Sequence, residues 1–201
     1  GAAPTTDSGS NTPVYSPNAM RVSGTIDASG GQVRMYSGQD ITVTNLPPYA
    51  ADSKVATTAA DSGSIVNADA LGYALGHAGS VTLESAAIQA LPDATPATAM
   101  DSFSAGNGVR FGTDTQVLKS QGGSATLAVN SARNIIMEPG SSLASSSGAL
   151  NVDFNADAKG SLVVDGRPGG AIAMDRASIQ SNGGNIRFYG QGDPVNGRAA
   201  G

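Results

Sequence analysis

Three arginines stand at the same place in three short phrases. Arg34 lies in "GGQVRMYSG", Arg110 in "GNGVRFG" and Arg187 in "GGNIRFYG", each a few residues after a glycine turn and each followed by Met35, Phe111 or Phe188. A guanidinium is a planar fork of donors that suits carboxylates and sulfates, so an aligned column of the three would grip sulfated or sialylated glycans. The competing reading is a set of solvated charges on outward strand positions. Asp153, Asn155 and Asp157 have the alternate oxygen ligands of a calcium loop. Ala158 stands where such a loop needs glycine, however, and Val164 where it needs glutamate, so a solvated strand face is expected and no metal site. His77 is the one histidine, and the chain has no cysteine, which excludes a zinc site of ordinary composition. It sits in the glycine turn "LGHAG" with no G-x-S-x-G elbow anywhere, and reads as a surface turn residue. Asp101, Asp114, Asp153, Asp157, Asp165 and Asp175 are scattered, whereas glycoside hydrolysis needs two carboxylates about 5 to 9 Å apart. No catalytic residue and no cofactor site is therefore expected, although stacking of distant segments can bring two carboxylates together. A polysaccharide-cleaving enzyme stays as a third reading.

The elements that must position these residues are strands. Apolar residues fall two apart in "GQVRMYSG", "DITVTNL", "GSVTLESAAI", "GVRFG", "ATLAV", "LNVDFNADA" and "NIRFYG", the period of a half-buried strand. In "LNVDFNADA" this places Leu150, Val152, Phe154 and Ala156 inward, with Asn151, Asp153, Asn155 and Asp157 outward, where stacked asparagines can hydrogen-bond from strand to strand. Helical spacing is confined to "NADALGYALG", where Ala70 and Ala74 allow a helical turn or two. The chain holds 27 glycines and only 4% aromatic residues, so its interior must be narrow and filled by small aliphatics such as Val81, Leu83, Ile88, Val109, Leu127, Val152 and Leu162. The glycine phrase recurs as "HAGSVTLES" and "GGSATLAVN", each opening a strand after a tight turn that tolerates positive φ. Strands too short to bury a face alone, restarted by one phrase, imply stacked β-coils: an all-β solenoid with irregular loop excursions.

Residues 1–20 carry Pro4, Pro13 and Pro17 among Ser, Thr, Asn and Gly, and read as a flexible arm. The solenoid domain is expected over 21–190, with excursions near 46–76 and 91–107, and a polar tail over 191–201. A net charge of -5 argues against nucleic acid as a partner, which would require a basic face. No apolar run is long enough to span a bilayer, so no membrane insertion is expected.

The stretch from Leu127 to Gly190, with "ARNIIMEPGSSLAS", "GALNVDFNADA" and "GGAIAMDRASIQSNGGNI", resembles the repeats of filamentous haemagglutinin-like exoproteins, the large adhesins exported by two-partner secretion in Gram-negative bacteria. Residues 24–45 and 78–90 resemble them more loosely. The resemblance implies a right-handed parallel β-helix displayed at the bacterial cell surface, with roles in adhesion, biofilm or contact-dependent competition, and it implies no catalytic residue. The asparagine-proline signature of the family's secretion domain has no clear counterpart, "SPNA" at 16–19 being the nearest, so an internal or processed piece is expected.

The expected function is accordingly a non-catalytic, extracellular adhesive module whose partners are cell-surface glycans or receptors. The alternative is a self-assembling filament subunit joined to copies of itself through open solenoid ends, where unpaired strand edges invite association.

Overall fold

Alternation becomes parallel pairing in the computed structural model, which describes residues 20–38, 40–45, 63–85, 108–158, 163–164, 167–168 and 170–190. The arm expected over 1–20, apart from Met20, the 46–62 part of the first excursion, the excursion at 91–107, the core candidates Ile88 and Leu162 and the tail at 191–201 lie outside the described residues. The chain enters a six-stranded sheet as β1 (Arg21–Val22), crosses to a five-stranded sheet as β2 (Gln32–Ser37) and returns to the first as β3 (Ile41–Thr44). There follow β4 (Ser64–Asn67) in the six-stranded sheet, the helix α1 (Ala68–His77), and β5 (Ser80–Ser85) in the five-stranded sheet. From that point one circuit repeats, passing from the six-stranded sheet through a three-stranded sheet to the five-stranded sheet. Its successive passes are β6 (Gly108–Phe111), β7 (Gln116–Lys119) and β8 (Ala125–Ser131); then β9 (Asn134–Met137), β10 (Ser142–Ser145) and β11 (Leu150–Ala156). A small antiparallel ladder, β12 (Val163–Val164) with β13 (Arg167–Pro168), precedes the last pass: β14 (Ile172–Met174), β15 (Ser178–Gln180) and β16 (Ile186–Gly190).

Among the described residues every other strand pairing is parallel. The fold is therefore all-β in character, built of three parallel sheets with one short helix. The order in the five-stranded sheet is β16-β11-β8-β5-β2, and in the three-stranded sheet β15-β10-β7. The six-stranded sheet runs β1-β4-β3-β6-β9-β14 and has one strand more than its five-stranded neighbour, because the chain passes through it twice between β2 and β5.

The register places like above like. Val33, Val81, Leu127, Val152 and Ile186 form one inward row of the five-stranded sheet, and Met35, Leu83, Val129, Phe154 and Phe188 the next. Ile41, Val109, Ile135 and Ile172 form a row of the six-stranded sheet, and Val117, Leu143 and Ile179 one of the three-stranded sheet. Phe154 stacks between Phe111 at 5.9 Å and Phe188 at 5.5 Å, which ties adjacent passes together across the interior. The expected inward set Leu150, Val152, Phe154 and Ala156 is fully buried.

Residues 63–76 were expected to lie in an excursion, but they belong to the body. β4 pairs with both β1 and β3, and α1 buries Ala68, Ala70, Leu71, Gly72, Ala74 and Leu75. The helix runs for ten residues where the sequence suggested a turn or two. Asn67 caps it, its side chain accepting from the Ala70 amide at 3.1 Å, and Asp69 in the first turn complements the helix dipole. Alanine and glycine make the helix thin enough to take the place that a strand occupies in the later passes, beside β7. A Cβ at Gly72 would overlap the Leu118 carbonyl oxygen.

The recurring glycine phrase marks the corner that leads into the five-stranded sheet. Gly30, Gly122, Gly148 and Gly183 there adopt φ of +83°, +80°, +67° and +88°. The corners also stack backbone on backbone, and a Cβ on Gly122 would overlap the Gly76 carbonyl, whereas Gly123 next to it faces open space. Gly122→Ala should thus destabilise the protein by about 2 kcal/mol or more, and Gly123→Ala by less than about 0.5 kcal/mol, as read by denaturant unfolding.

Candidate functional site

The outward positions of the five-stranded sheet form rows as regular as the inward ones. One row reads Arg34, Thr82, Ala128, Asp153, Arg187, and the next Tyr36, Glu84, Asn130, Asn155, Tyr189. Arg34 and Arg187 therefore share a register, as their phrases suggest, but they lie on the two edge strands β2 and β16 with three strands between them. Arg110 does not join them. Its glycine, Gly108, opens β6 of the six-stranded sheet, and the Gly108 amide donates to Asp40 Oδ1 at 2.6 Å, a corner of another kind. The three-arginine column is thus corrected to a pair on one face and a third residue on another.

Each of the three is matched to a carboxylate brought from a neighbouring strand or corner. Arg34 Nε donates to Glu84 Oε2 at 3.0 Å, Arg110 Nη1 lies 3.1 Å from Glu138 Oε1, and Arg187 grips Asp153 through Nε–Oδ1 at 2.6 Å and Nη2–Oδ2 at 2.7 Å. The last is a bidentate fork. Asp153 holds the Arg187 proton more firmly than usual through that hydrogen bond and its charge. Burial, with the Asp153 charge adding to it, raises the Tyr189 phenol, which stays protonated and able to donate.

Around the fork lies an open depression of about 330 Å³, lined by Thr126, Asn151, Asp153, Asn185, Ile186 and Arg187. Asn151 Oδ1 accepts the Asn185 amide at 3.0 Å, and Asn155 Nδ2 donates to Asn130 Oδ1 at 3.2 Å, the strand-to-strand asparagine bond that the alternation suggested. Asp153, Asn155 and Asp157 are not solvated: they are 8%, 6% and 3% exposed, because Arg187 covers Asp153, the strands of Asn130 and Tyr189 flank Asn155, and Asp157 lies against Arg133 and Gly170. Among the described residues no three His, Cys, Asp or Glu side chains gather as metal ligands. Asp101 and Asp165 lie outside the described residues.

His77 ends α1 instead of sitting in a free turn. Its ring stacks on Tyr73 at 3.8 Å, Nδ1 meets the Tyr73 carbonyl oxygen at 2.8 Å and Nε2 lies 3.2 Å from Gln121 Nε2. These contacts are those of a helix terminus, and among the described residues they include neither a nucleophile nor an orienting acid.

No family model, curated protein or solved structure matches the chain.

Two charged residues that no motif marks are buried or half-buried. Lys119 is fully buried, with Nζ donating to the carbonyl oxygens of Gln121 at 2.9 Å, Gly122 at 3.4 Å and Ser147. Burial lowers its pKa. The same corner in later passes uses hydroxyls: Ser145 Oγ donates to Ser147 and Gly148 oxygens, and Ser181 Oγ to the Gly184 oxygen. Lys119 is thus a structural clamp, signalled by its sharing the inward parity of Val117. Lys119→Met should destabilise by about 1 to 3 kcal/mol in denaturant unfolding, because it strips carbonyls of their donor.

Asp40, beside the Gly108 amide, is pushed up to about 6 by burial, against the pull of that hydrogen bond and of the Arg110 and Arg133 charges. A raised carboxyl pKa means that the folded chain takes up a proton between about pH 4 and 6 that the unfolded chain does not, so this group's contribution to stability falls as the pH rises through that window. Asp40→Asn should flatten the stability profile there and add about 1 to 2 kcal/mol at neutral pH, allowing for solvent screening. Thermal melts from pH 4 to pH 8 check it.

Proposed function

We propose that the protein is a non-catalytic module of a filamentous haemagglutinin-like surface adhesin, in which the repeated circuit is one turn of a right-handed parallel β-solenoid. The observation that carries the reading is the register: five strands from five successive passes keep like residues in line on both faces of one sheet. Parallel crossovers of this kind are right-handed in nearly all known sheets, which supports the handedness. The resemblance of Leu127 to Gly190 to adhesin repeats supports the extracellular setting. Perturbed groups support a structural role as well. Asp40 accepts a backbone amide at a corner, Lys119 clamps carbonyls, and Arg187 is forked onto Asp153. On this reading the rod supplies reach and stiffness, and its outer faces supply contact with cell-surface glycans or receptors.

A second reading is favoured by one end of the stack. Met174, Ile186 and Phe188 occupy inward positions of the last pass yet are 38%, 42% and 44% exposed, while the equivalent Met137, Val152 and Phe154 are fully buried. An apolar cross-section bounded by strand edges is suited to end-on association. The opposite end is bounded by β1 and β2, with α1 one pass further in, and presents a different cross-section, so like ends match better than unlike ones.

Two measurements separate these readings. Beads coated with the purified protein should adhere to cell surfaces or biofilm matrix above uncoated beads, while acidic polysaccharides incubated with it release no reducing ends; inert beads, or released ends, would remove the adhesin reading. Sedimentation should show monomer, or a dimer that the Ile186→Lys, Phe188→Lys variant dissolves. Persistence of the dimer in that variant would rule out the apolar end as the joint.

A further inference from the structure

The phrase written twice in the sequence defines the two borders of one surface. "QVRMY" is β2 and "NIRFY" leads through β16, and these are the two edge strands of the five-stranded sheet. Both direct an arginine and a tyrosine outward in the same two rows. At each border the arginine pairs with an acid on the next strand in, Glu84 at one side and Asp153 at the other. Between them the three middle strands contribute short groups: Ser80, Thr82, Thr126, Ala128, Asn130, Asn151 and Asn155. Long side chains at the borders and short ones between make a shallow trough, four strand spacings or about 19 Å across. The 330 Å³ depression deepens it on the Arg187 side.

The charges within the trough cancel, two arginines against Glu84 and Asp153, so an anionic ligand finds no excess of positive charge. What remains is a mixture of hydroxyl, amide and guanidinium groups with two tyrosines, Tyr36 being 53% exposed and lying under the Arg34 guanidinium at 6.0 Å. Aromatic rings that cover the apolar face of a pyranose, beside groups that both donate and accept for its hydroxyls, fit a neutral sugar chain. The regular repeat of the rows along the stack suits a ligand that is itself a repeating polymer.

We propose that the outer face of the five-stranded sheet binds an uncharged linear oligosaccharide, laid across the strands along the row from Tyr36 to Tyr189, with the Thr126, Asn151 and Asp153 depression beside it. It deepens the adhesive reading and rests on the stacked-sheet fold. The test presents the full chain to an array of neutral cello-, chito-, malto-, xylo- and manno-oligosaccharides long enough to span the trough, with heparin fragments and sialylated glycans as the anionic arm. Titration calorimetry then follows binding in Tyr36→Ala, which removes one platform, and in Ala128→Arg, which fills the floor. The expected result is binding to at least one neutral series, insensitive to salt and weakened at least about tenfold in each variant, with melting temperatures unchanged. Binding only to the anionic arm with steep salt dependence, neutral binding unaltered in both variants, or no neutral binding by the folded protein would each overturn it. The far-UV spectrum and melt of the same sample report the fold separately, so a folded rod that binds no sugar ends this proposal and leaves the structural reading intact.

Discussion

In-register parallel stacking governs this molecule. When each pass lies one strand spacing, about 4.8 Å, from the next, every position must tolerate its own equivalent directly above and below. Aliphatics tolerate this well, and so Val33, Val81, Leu127 and Val152 can occupy one row. Like charges in adjacent places do not. In the five-stranded sheet the two strands that bear an arginine accordingly lie at opposite edges, each beside a strand that supplies a carboxylate. The corners obey the same constraint: where backbone rests on backbone only glycine fits, and one phrase is therefore repeated along the chain.

Departures from the regular circuit fall where the constraint relaxes or has to be met by other means. At the outer side of β7 a helix of alanine, glycine and leucine substitutes for a strand, and its small side chains let it approach Leu118 and Gln121. Where a corner's carbonyl oxygens converge without enough amides to serve them, a buried ammonium does so in one pass and serine hydroxyls in the others. In the last described pass the inward residues Ile186 and Phe188 are only partly covered.

Much of this was legible in the sequence because it is local. Period-two alternation located the inward residues of β2, β5, β8 and β11, and the glycine phrase located four corners into one sheet. What was missed depends on distance. Nothing near Arg187 points to Asp153, nor does anything near Arg34 point to Glu84, since these partners come from other passes. Arg110 has the same local phrase as the other two, yet a glycine can open a strand in either of two sheets, and local sequence does not say which. The helix was legible only as a turn or two because alanine and glycine dilute the i, i+4 pattern, and Asp40 was not legible because its burial comes from distant chain. Lys119 is a different case: its parity with Val117 was visible, and a lysine at an inward position was the clue.

Spin labels read the rows of the five-stranded sheet directly. The native chain has no cysteine, so labels can be placed cleanly at Tyr36 and Tyr189, and in a second sample at Tyr36 and Asn130. Electron paramagnetic resonance should give a separation of about 19 Å for the first pair, four strand spacings, and about half of that for the second. Equal separations, or a first pair beyond about 30 Å, would contradict the stacked register.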